Sequence, residues 1–243
     1  NDEEIGVIPN MGKVEAIQAI ESAQAALQSW KALTAQARAD LLLAWHKLTL
    51  EHAEDLARIM TIEQGKPLTE ALGEVKYAAS FIQWFAEEGK RIYGDVIPTT
   101  NAGQRFLVTK EPVGVVAAIT PWNFPLAIFV GQIVAALAVG NSVVAKPAEQ
   151  TSLMAHAAVK LMLEAGVPSG VVQLILGEGD IGAALTADPR IAGVLFTGST
   201  EVAQLINRTL SKRSDMPLLL AETGGQNAMI VDSTALPEQV VQD

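Results

Sequence analysis

A carboxylate beside two glycines is the first feature of this sequence that suggests chemistry. Residues 221–232 read AETGGQNAMIVD, with Glu222 two positions before the Gly-Gly pair and apolar runs on both sides. At the end of a strand, beside backbone that a ligand can approach closely, such a carboxylate predicts a general base. A base of this kind activates a nucleophile, most obviously a cysteine thiol. The 243 residues contain no cysteine, so this stretch alone leaves open what Glu222 serves.

A second candidate group is an asparagine between two prolines in ITPWNFP, residues 119–125. One interpretation is local: Asn123 caps a helix and Pro125 lies just inside it. The other is functional: the Asn123 amide donates toward a developing oxyanion, while Ile119 and Trp122 form walls around a flat ring. The two interpretations are compatible, but capping alone does not explain the tryptophan and both prolines.

A lysine and a glutamate three positions apart follow the apolar run SVVA in AKPAEQT, residues 145–151. Ribose hydroxyls need a donor and an acceptor, and Lys146 with Glu149 supplies both. Glu149 would also repel a 2′-phosphate, which favours NAD over NADP. The alternative is an exposed ion pair at a helix start, which contributes little to stability.

Two glycine-containing segments suggest phosphate binding. FTGST, residues 196–200, predicts a helix N-terminus whose amides and hydroxyls suit a pyrophosphate, although N-capping by Ser199 or Thr200 explains it equally. GEGDIG, residues 177–182, matches a dinucleotide fingerprint, with Glu201 roughly twenty residues on as the ribose-binding acid. The short helix predicted after it is a poor cradle for a pyrophosphate. An orthodox Rossmann alcohol or hydroxy-acid dehydrogenase therefore stays only an alternative.

The periodicity of apolar residues predicts the elements that carry these motifs. Helices are predicted over 14–30, 35–60 and from Pro67 to about Arg91, followed by a loop at 98–104 and a short strand at 105–109. After Val113 five strand-like runs (VVAAIT, SVVAKP, VVQLIL, VLFTG and LLLAE) alternate with helical runs at 124–138, 152–165, 181–187 and 199–211. This alternation predicts an α/β fold with a doubly wound parallel sheet, which binds ligands at the carboxyl ends of its strands.

The composition narrows the possible partners and location. A formal charge of −10 without a basic run argues against nucleic acid and anionic membrane surfaces. Residues 112–145 carry no charge, but PWNFP and VGNS divide them into pieces too short to span a bilayer. We expect no disulfide, no signal peptide and a cytoplasmic location. His46, His52 and His156 have no metal-site spacing, so we expect no metal.

The order of these motifs is more specific than any one of them. PWNFP, then KPAEQT, then FTGS, then E-x-GG resembles the signature of the NAD(P)-dependent aldehyde dehydrogenase superfamily over essentially the whole chain. TIEQGKPLTEALGEV at 61–75 is similar to the N-terminal region of that family. The resemblance implies a five-stranded Rossmann variant, NAD or NADP as the cofactor, with NAD favoured over NADP by Glu149, a small aldehyde substrate, and a homo-oligomer formed through a β hairpin.

The resemblance also assigns roles to residues of this chain. Asn123 is similar to the oxyanion-hole amide and Glu222 to the general base. Lys146 and Glu149 are expected at the adenosine ribose, Ser199 at the pyrophosphate, and the Thr223 backbone at the nicotinamide amide. Cofactor contacts are expected from Ile119, Thr120, Pro121, Trp122, Lys146, Ala148, Glu149, Gly179, Gly182, Phe196, Thr197, Gly198, Ser199, Val202, Thr223 and Gly224.

The same resemblance implies where the missing nucleophile lies. The family cysteine follows E-x-GG in a second, catalytic domain, which we expect to be absent from this chain. Its thiolate would form a thiohemiacetal with the aldehyde, and after oxidation a Glu222-activated water would hydrolyse the thioester. We expect 1–104 to be the helical part of the cofactor domain, 105–114 the start of the oligomerisation hairpin, and 115–243 the NAD-binding domain. A nucleotide-binding module that never carried a catalytic domain is the alternative.

The two halves resemble different branches of the superfamily. MTIEQGKPLTEA and FIQWFAEEGKRIYGDVIPT resemble succinate-semialdehyde dehydrogenases. GQIVAALAVGNSVVAKPAEQT and AETGGQNAMIVDS resemble the glutamate-semialdehyde (pyrroline-carboxylate) dehydrogenase module of bifunctional proline-catabolic proteins. Ala203 and Thr223, which replace a common glycine and leucine, fit the second branch. A change near 105–115 is compatible with a chimera, a hybrid lineage or a mixed assembly. Both branches predict a short semialdehyde with a carboxylate.

Overall fold

A five-stranded parallel sheet forms the centre of the protein, whose computed structural model describes residues 4–241. The sheet strands are β3 (Val115–Ile119), β4 (Ser142–Lys146), β5 (Val172–Leu174), β6 (Ile191–Gly198) and β7 (Leu218–Thr223). Their order in space is β5-β4-β3-β6-β7. The chain therefore builds one side of the sheet outward from β3 and then returns to build the other. This confirms the predicted doubly wound α/β fold.

Four helices connect the strands: α5 (Ala127–Ala138), α6 (Ser152–Glu164), α7 (Gly179–Ala187) and α8 (Thr200–Leu210). Alternate residues of a strand point to opposite faces. On β4, Val143 and Ala145 belong to the core that contains α5 and α6, whereas Val144 belongs to the core that contains α7 and α8. Because both faces are covered, β3 and β4 are apolar without alternation, as the sequence predicts.

The N-terminal part is helical and packs against the sheet through the same cores. It contains α1 (Lys13–Lys31), α2 (Ala35–Glu51), α3 (Ala53–Gln64) and α4 (Leu68–Glu88). The prediction of a single helix over 35–60 is wrong. His52 has φ −100° and ψ 21°, which ends α2, and the His52 carbonyl accepts the first hydrogen bond of α3 from Leu56 N. Pro67 precedes α4 as predicted. An amide at a helix start has no carbonyl partner within the helix, so proline loses no hydrogen bond there.

A two-stranded antiparallel hairpin lies between the helical part and the sheet. Its strands are β1 (Asp95–Ile97) and β2 (Phe106–Val108), with Val96 opposite Leu107. The predicted strand at 105–109 is therefore the second strand of the hairpin, not the first. Residues 98–104 form the turn inside the hairpin rather than a loop leading to it. The proposed divisions near 104 and 114 stay predictions.

The last described residues carry little regular structure. β7 forms one edge of the sheet and is mostly exposed, and a single turn of helix, α9 (Pro237–Val240), follows in the last part of the described chain. No helix within residues 4–241 is long and apolar enough to cross a membrane.

Candidate functional site

The register of the sheet brings the predicted motifs side by side. Ile119 at the end of β3 pairs with Lys146 at the end of β4 and with Phe196 near the end of β6. Gly198 at the end of β6 pairs with Thr223 at the end of β7. The order of strands reverses between β3 and β6, and ligands of doubly wound sheets bind at such a switch point.

A cavity of about 540 Å³ opens at this point. Its volume lies within the range of about 300–1,000 Å³ that is typical of small-molecule sites. Fourteen of the residues expected to contact a cofactor line it: Ile119, Thr120, Pro121, Trp122, Lys146, Ala148, Glu149, Gly179, Gly182, Phe196, Thr197, Gly198, Ser199 and Val202.

Further lining residues were not predicted from the motifs. They are Gln150, Ala183, Thr186, Leu205, Ile206 and Thr209. Most of them lie on the same helix faces as predicted residues, because 179, 182, 183 and 186 repeat with helical spacing on α7, as 202, 205, 206 and 209 do on α8. Extending each motif along its helix by this spacing identifies them.

Lys146 is a buried cation that lines the cavity, with only 5% of its surface exposed. Its Nζ donates to the carbonyl of Pro147 at 3.0 Å and lies 3.6 Å from Oε2 of Glu149. Burial lowers the pKa of Lys146, and the Glu149 charge opposes that shift. The interpretation of an exposed ion pair is wrong for the lysine. It holds in part for Glu149, whose side chain is about half exposed.

Glu149 is favoured as an anion in this position. The pKa of Glu149 is lowered mainly by a hydrogen bond from its own backbone amide, with the Lys146 charge and a hydrogen bond from Gln150 contributing, against a smaller opposing effect of burial. A charged acceptor therefore stands beside a buried donor in the lining of the cavity. Together they can hold a pair of hydroxyl groups.

The N-terminus of α8 opens onto the same cavity. Ser199 caps it, because its Oγ accepts a hydrogen bond from Val202 N at 3.2 Å, which confirms the capping interpretation. The amides of Thr200 and Glu201 begin the helix and have no carbonyl behind them within it. Gly198 precedes the helix, and a Cβ there would lie 2.6 Å from the Phe196 ring, so the ring would have to move to admit a side chain. Amides at such a helix start suit an anionic group.

One polar atom of the cavity is left without a protein partner. Thr120 is 4% exposed, and its Oγ1 finds no hydrogen-bond partner among the described residues. A buried hydroxyl in that state loses free energy unless a ligand or water satisfies it. The buried lysine, the open helix start and this hydroxyl together fit a polar, phosphate-bearing ligand.

The glycine fingerprint has a mainly structural role at its first position. Gly177 has φ +153°, and a Cβ there would lie 2.8 Å from Ile181 Cγ1. The segment follows β5, the edge strand, rather than a strand at the switch point. Gly179 and Gly182 line the cavity, whereas exposed Glu201 is not among the lining residues. This geometry does not favour the orthodox Rossmann arrangement.

Asn123 lies in an exposed loop outside the lining of this cavity. The interpretation that it caps α5 is wrong, because the helix begins at Ala127. Its N-cap residue is Leu126, which makes no side-chain hydrogen bond to the helix. Instead, Oε1 of Glu74 accepts hydrogen bonds from Leu126 N at 2.9 Å and Ala127 N at 3.1 Å. Sequence reasoning missed Glu74, whose only signal is a buried acidic position on α4.

Glu222 lines a second cavity, of about 780 Å³, on the other side of β6. The walls are mainly aromatic and aliphatic, from Tyr77, Phe81, Phe85, Phe124, Ala127, Ile128, Gly131, Gln132, Ala135, Leu195, Phe196, Thr197 and Leu220. Phe196 and Thr197 border both cavities, and Gln132 Nε2 donates to Thr197 Oγ1 at 2.9 Å. Thr223 and Gly224 line neither cavity.

The histidines show no shared site. His46 Nδ1 lies 2.9 Å from the Ala79 carbonyl, and His52 Nδ1 lies 3.5 Å from Asp55. Within residues 4–241, no group of three or more histidine, cysteine, aspartate or glutamate side chains is arranged to hold a metal ion.

The fold and the cavity at its switch point define a doubly wound α/β protein of the dinucleotide-binding type. The chain belongs to the aldehyde dehydrogenase family, whose sequence profile matches residues 1–243. It is 48% identical over 243 residues to succinate-semialdehyde dehydrogenase [NADP(+)] of Escherichia coli and 47% identical over 241 residues to glutarate-semialdehyde dehydrogenase of Pseudomonas putida. These alignments cover 100% and 99% of this chain, and 50% of each relative.

Solved structures agree with this assignment. Succinate-semialdehyde dehydrogenase from Burkholderia pseudomallei superposes with a TM-score of 0.92 at 46% identity, over 99% of this chain and 50% of that one. A bifunctional proline utilization A protein superposes with a TM-score of 0.90 at 46% identity, over 98% of this chain and 24% of that one. Relatives of both predicted branches are thus found, and each matches nearly the whole chain rather than one half. The chain spans about half the length of the curated relatives it matches.

Proposed function

We propose that this chain binds NAD or NADP in the first cavity and forms the cofactor-binding part of an aldehyde dehydrogenase that acts on a short semialdehyde. The observation that carries the proposal is the buried Lys146 ammonium beside the Glu149 carboxylate, in a cavity that the N-terminus of α8 also borders. A donor, an acceptor and free amides in one cavity at a switch point match the parts of a dinucleotide.

Each wall of the cavity has a proposed partner in the cofactor. Lys146 and Glu149 hold the adenosine ribose hydroxyls, and Ser199 with the first amides of α8 holds the pyrophosphate. Gly179 and Gly182 leave room for the adenine, because both line the cavity and neither carries a side chain. Ile119 and Trp122 lie on the side of the nicotinamide, with Thr120 Oγ1 free to donate or accept. The Thr223 and Gly224 backbone extends this side in the proposal.

The bound cofactor would supply an acceptor for hydride from the substrate. The residues of this chain would orient the cofactor for that transfer and would exclude water from it. The mainly apolar second cavity would hold the carbon chain of the aldehyde, and Glu222 at its edge would take a proton from an attacking water. The Asn123 amide would donate to the aldehyde oxygen. The thiol nucleophile must come from outside these 243 residues, which contain no cysteine.

The preference for NAD over NADP stays a prediction. It depends on repulsion between the Glu149 carboxylate and a 2′-phosphate. That side chain is about half exposed and can turn toward solvent, which would leave Lys146 to meet the phosphate. The Escherichia coli relative is named as NADP-dependent. We therefore propose binding of both cofactors by this chain.

The exposed hairpin supports a further part of the proposal, association into a homo-oligomer. Val96 is 74% exposed and Leu107 is 71% exposed, and the two residues are paired across β1 and β2. Apolar side chains in this arrangement are typical of a surface that another chain covers.

The experiment that tests cofactor binding fills the cavity without harming its helix. Gly182→Leu places a side chain in the space proposed for adenine, and leucine favours a helix over glycine by roughly 0.5–1 kcal/mol. Gly73→Leu is the matched control, since Gly73 is exposed on α4 and a Cβ there meets nothing within 4 Å. Isothermal titration with NAD and NADP is expected to show binding to the wild type and Gly73→Leu, and loss of binding in Gly182→Leu. Equal affinity in all three proteins would refute the proposed site.

A further inference from the structure

The end of α3 and the turn that follows it contact the loop 119–125, which carries part of the proposed cofactor contacts. Gln64 Nε2 donates to the carbonyls of Trp122 and Asn123 at 3.0 and 3.1 Å. Lys66 Nζ donates to the Asn123 carbonyl at 2.9 Å and lies 4.3 Å from the centre of the Phe124 ring. Gln64 at the end of α3 and Lys66 in the following turn thus contact three consecutive residues of the loop 119–125.

Two carboxylates from the same helix pair bind the helices that follow these loops. Glu63 accepts hydrogen bonds from Leu153 N at 2.6 Å and Met154 N at 2.9 Å, at the start of α6. Glu74 accepts from Leu126 N and Ala127 N at the start of α5, and its other oxygen pairs with Lys66. Neither α5 nor α6 has a side-chain cap at its own N-cap residue. Carboxylates at these positions are favoured by the free amides and by the helix dipole.

These contacts fix positions that the loops cannot fix by themselves. The Glu74 side chain is 2% exposed and that of Lys66 is 11% exposed, and the bonds from Glu74 to the two amides of α5 are buried, so water competes little for them. Leu126 lies three residues after Asn123, and Leu153 lies four residues after Glu149. A shift of either helix start would therefore move the loop residues that precede it.

We propose that Glu63, Gln64, Lys66 and Glu74, which we call the α3–α4 clamp, are positioning residues for the two halves of the cofactor. The Glu74–Lys66–Gln64 part holds the loop with Trp122 on the nicotinamide side. The Glu63 part holds the start of α6 and thereby the loop with Lys146 and Glu149 on the adenosine side. This assignment rests on the proposed cofactor site.

The test separates the two parts of the clamp by ligand. ADP carries only the adenosine half of NAD, so loss of the Glu74 part is expected to weaken NAD without weakening ADP. The double variant Lys66→Met/Glu74→Gln removes both charges together and retains an acceptor for the two amides, so that no buried charge is left unpaired. Glu63→Gln is expected to weaken NAD and ADP alike. Glu70→Gln, on the exposed first turn of α4, is the control.

A tryptophan signal reports the loop directly and needs no ligand. Trp30 and Trp45 are 1% exposed, whereas Trp84 is 63% and Trp122 is 55% exposed. In a Trp84→Phe background, acrylamide quenching therefore reports mainly Trp122. The double variant and Gln64→Ala are expected to raise the quenching constant and to lower the fluorescence anisotropy of Trp122, while Glu70→Gln leaves both unchanged.

The expected size of the binding effect is about fivefold for NAD in the double variant, equivalent to ~1 kcal/mol, with ADP within about twofold. A folded double variant with unchanged Trp122 quenching and unchanged affinity for both ligands would overturn the clamp. An equal loss for NAD and ADP would overturn the separation into two parts. If the double variant does not fold, Gln64→Ala, which removes only two bonds to carbonyls, decides by the same readouts. Failure of the wild type to bind NAD would refute the proposed cofactor site, while Trp122 quenching would still decide whether the clamp holds the loop.

Discussion

Replacing Lys146 by methionine should weaken cofactor binding and at the same time stabilise the fold. Methionine has nearly the length of lysine but removes the ammonium of a side chain that is only 7% exposed. Folding must take that charge out of water, at an effective cost of several kcal/mol per ion. The compensating contacts are one carbonyl at 3.0 Å and a half-exposed carboxylate at 3.6 Å. These contribute about 1 kcal/mol for the hydrogen bond and less than ~1 kcal/mol for the ion pair.

The expected change in affinity follows from the bonds that the ammonium would make to ribose. Hydrogen bonds that involve a charged group contribute about 1.5–3 kcal/mol. Their loss should raise the dissociation constant for NAD by about 10- to 150-fold. Titration calorimetry measures this change, and thermal and urea unfolding without ligand measure the stability.

The sign of the pH dependence gives an independent check. Burial lowers the pKa of Lys146 below its ordinary value of 10.5, so the unfolded chain binds the proton more tightly than the folded one. Wild-type stability should therefore rise relative to Lys146→Met as pH increases from the lowered pKa toward 10.5, and the difference should be largest below that window. A variant that loses more than about 1 kcal/mol of stability at pH 7, or that binds NAD with unchanged affinity, would refute this reasoning.

Three further outcomes are expected. Ser199→Ala removes the cap of α8 and should cost about 1 kcal/mol in urea unfolding, whereas an unchanged midpoint would show that the Val202 amide finds another acceptor. Leu107→Lys should reduce self-association in sedimentation velocity without changing the thermal midpoint by more than a few degrees; unaltered sedimentation would exclude the hairpin as the contact. The 243-residue chain alone should form no NADH or NADPH with succinate semialdehyde, because it contains no thiol, and steady turnover would contradict the proposed role of an outside cysteine.

The sheet could be predicted because local signals agreed with one another. Each strand ends in a distinctive motif, and an uninterrupted apolar run such as Val115–Ile119 is typical of a strand buried on both faces. Parallel strands end at one edge, which explains why fourteen residues that the resemblance assigned to the cofactor lie around one cavity. The break at His52 could not be predicted, since neither glycine nor proline marks it.

The residues that position the site were harder to predict than the residues that line it. Glu63 and Glu74 bind amides 90 and 52 residues away, and no local pattern encodes such partners. Likewise, β1 was missed because three exposed residues between Gly94 and Pro98 give no periodicity. The places where prediction failed are those where long-range contacts, rather than local preference, decide the structure.

The kind of atom that forms the hydrogen bonds between the two halves of the chain bears on how such a protein can evolve. In the hydrogen bonds that join residues 4–104 to residues 115–241, the atom contributed by the second half belongs to the backbone. The exception is a contact of 3.4 Å between the side chains of Glu21 and Arg190. Trp30 and Arg38, for example, donate to the carbonyls of Leu137 and Ala138. Backbone groups are present whatever the side chain. Recombination near the hairpin could therefore join halves from different lineages without breaking these bonds, and the halves of one chain could come to resemble different relatives.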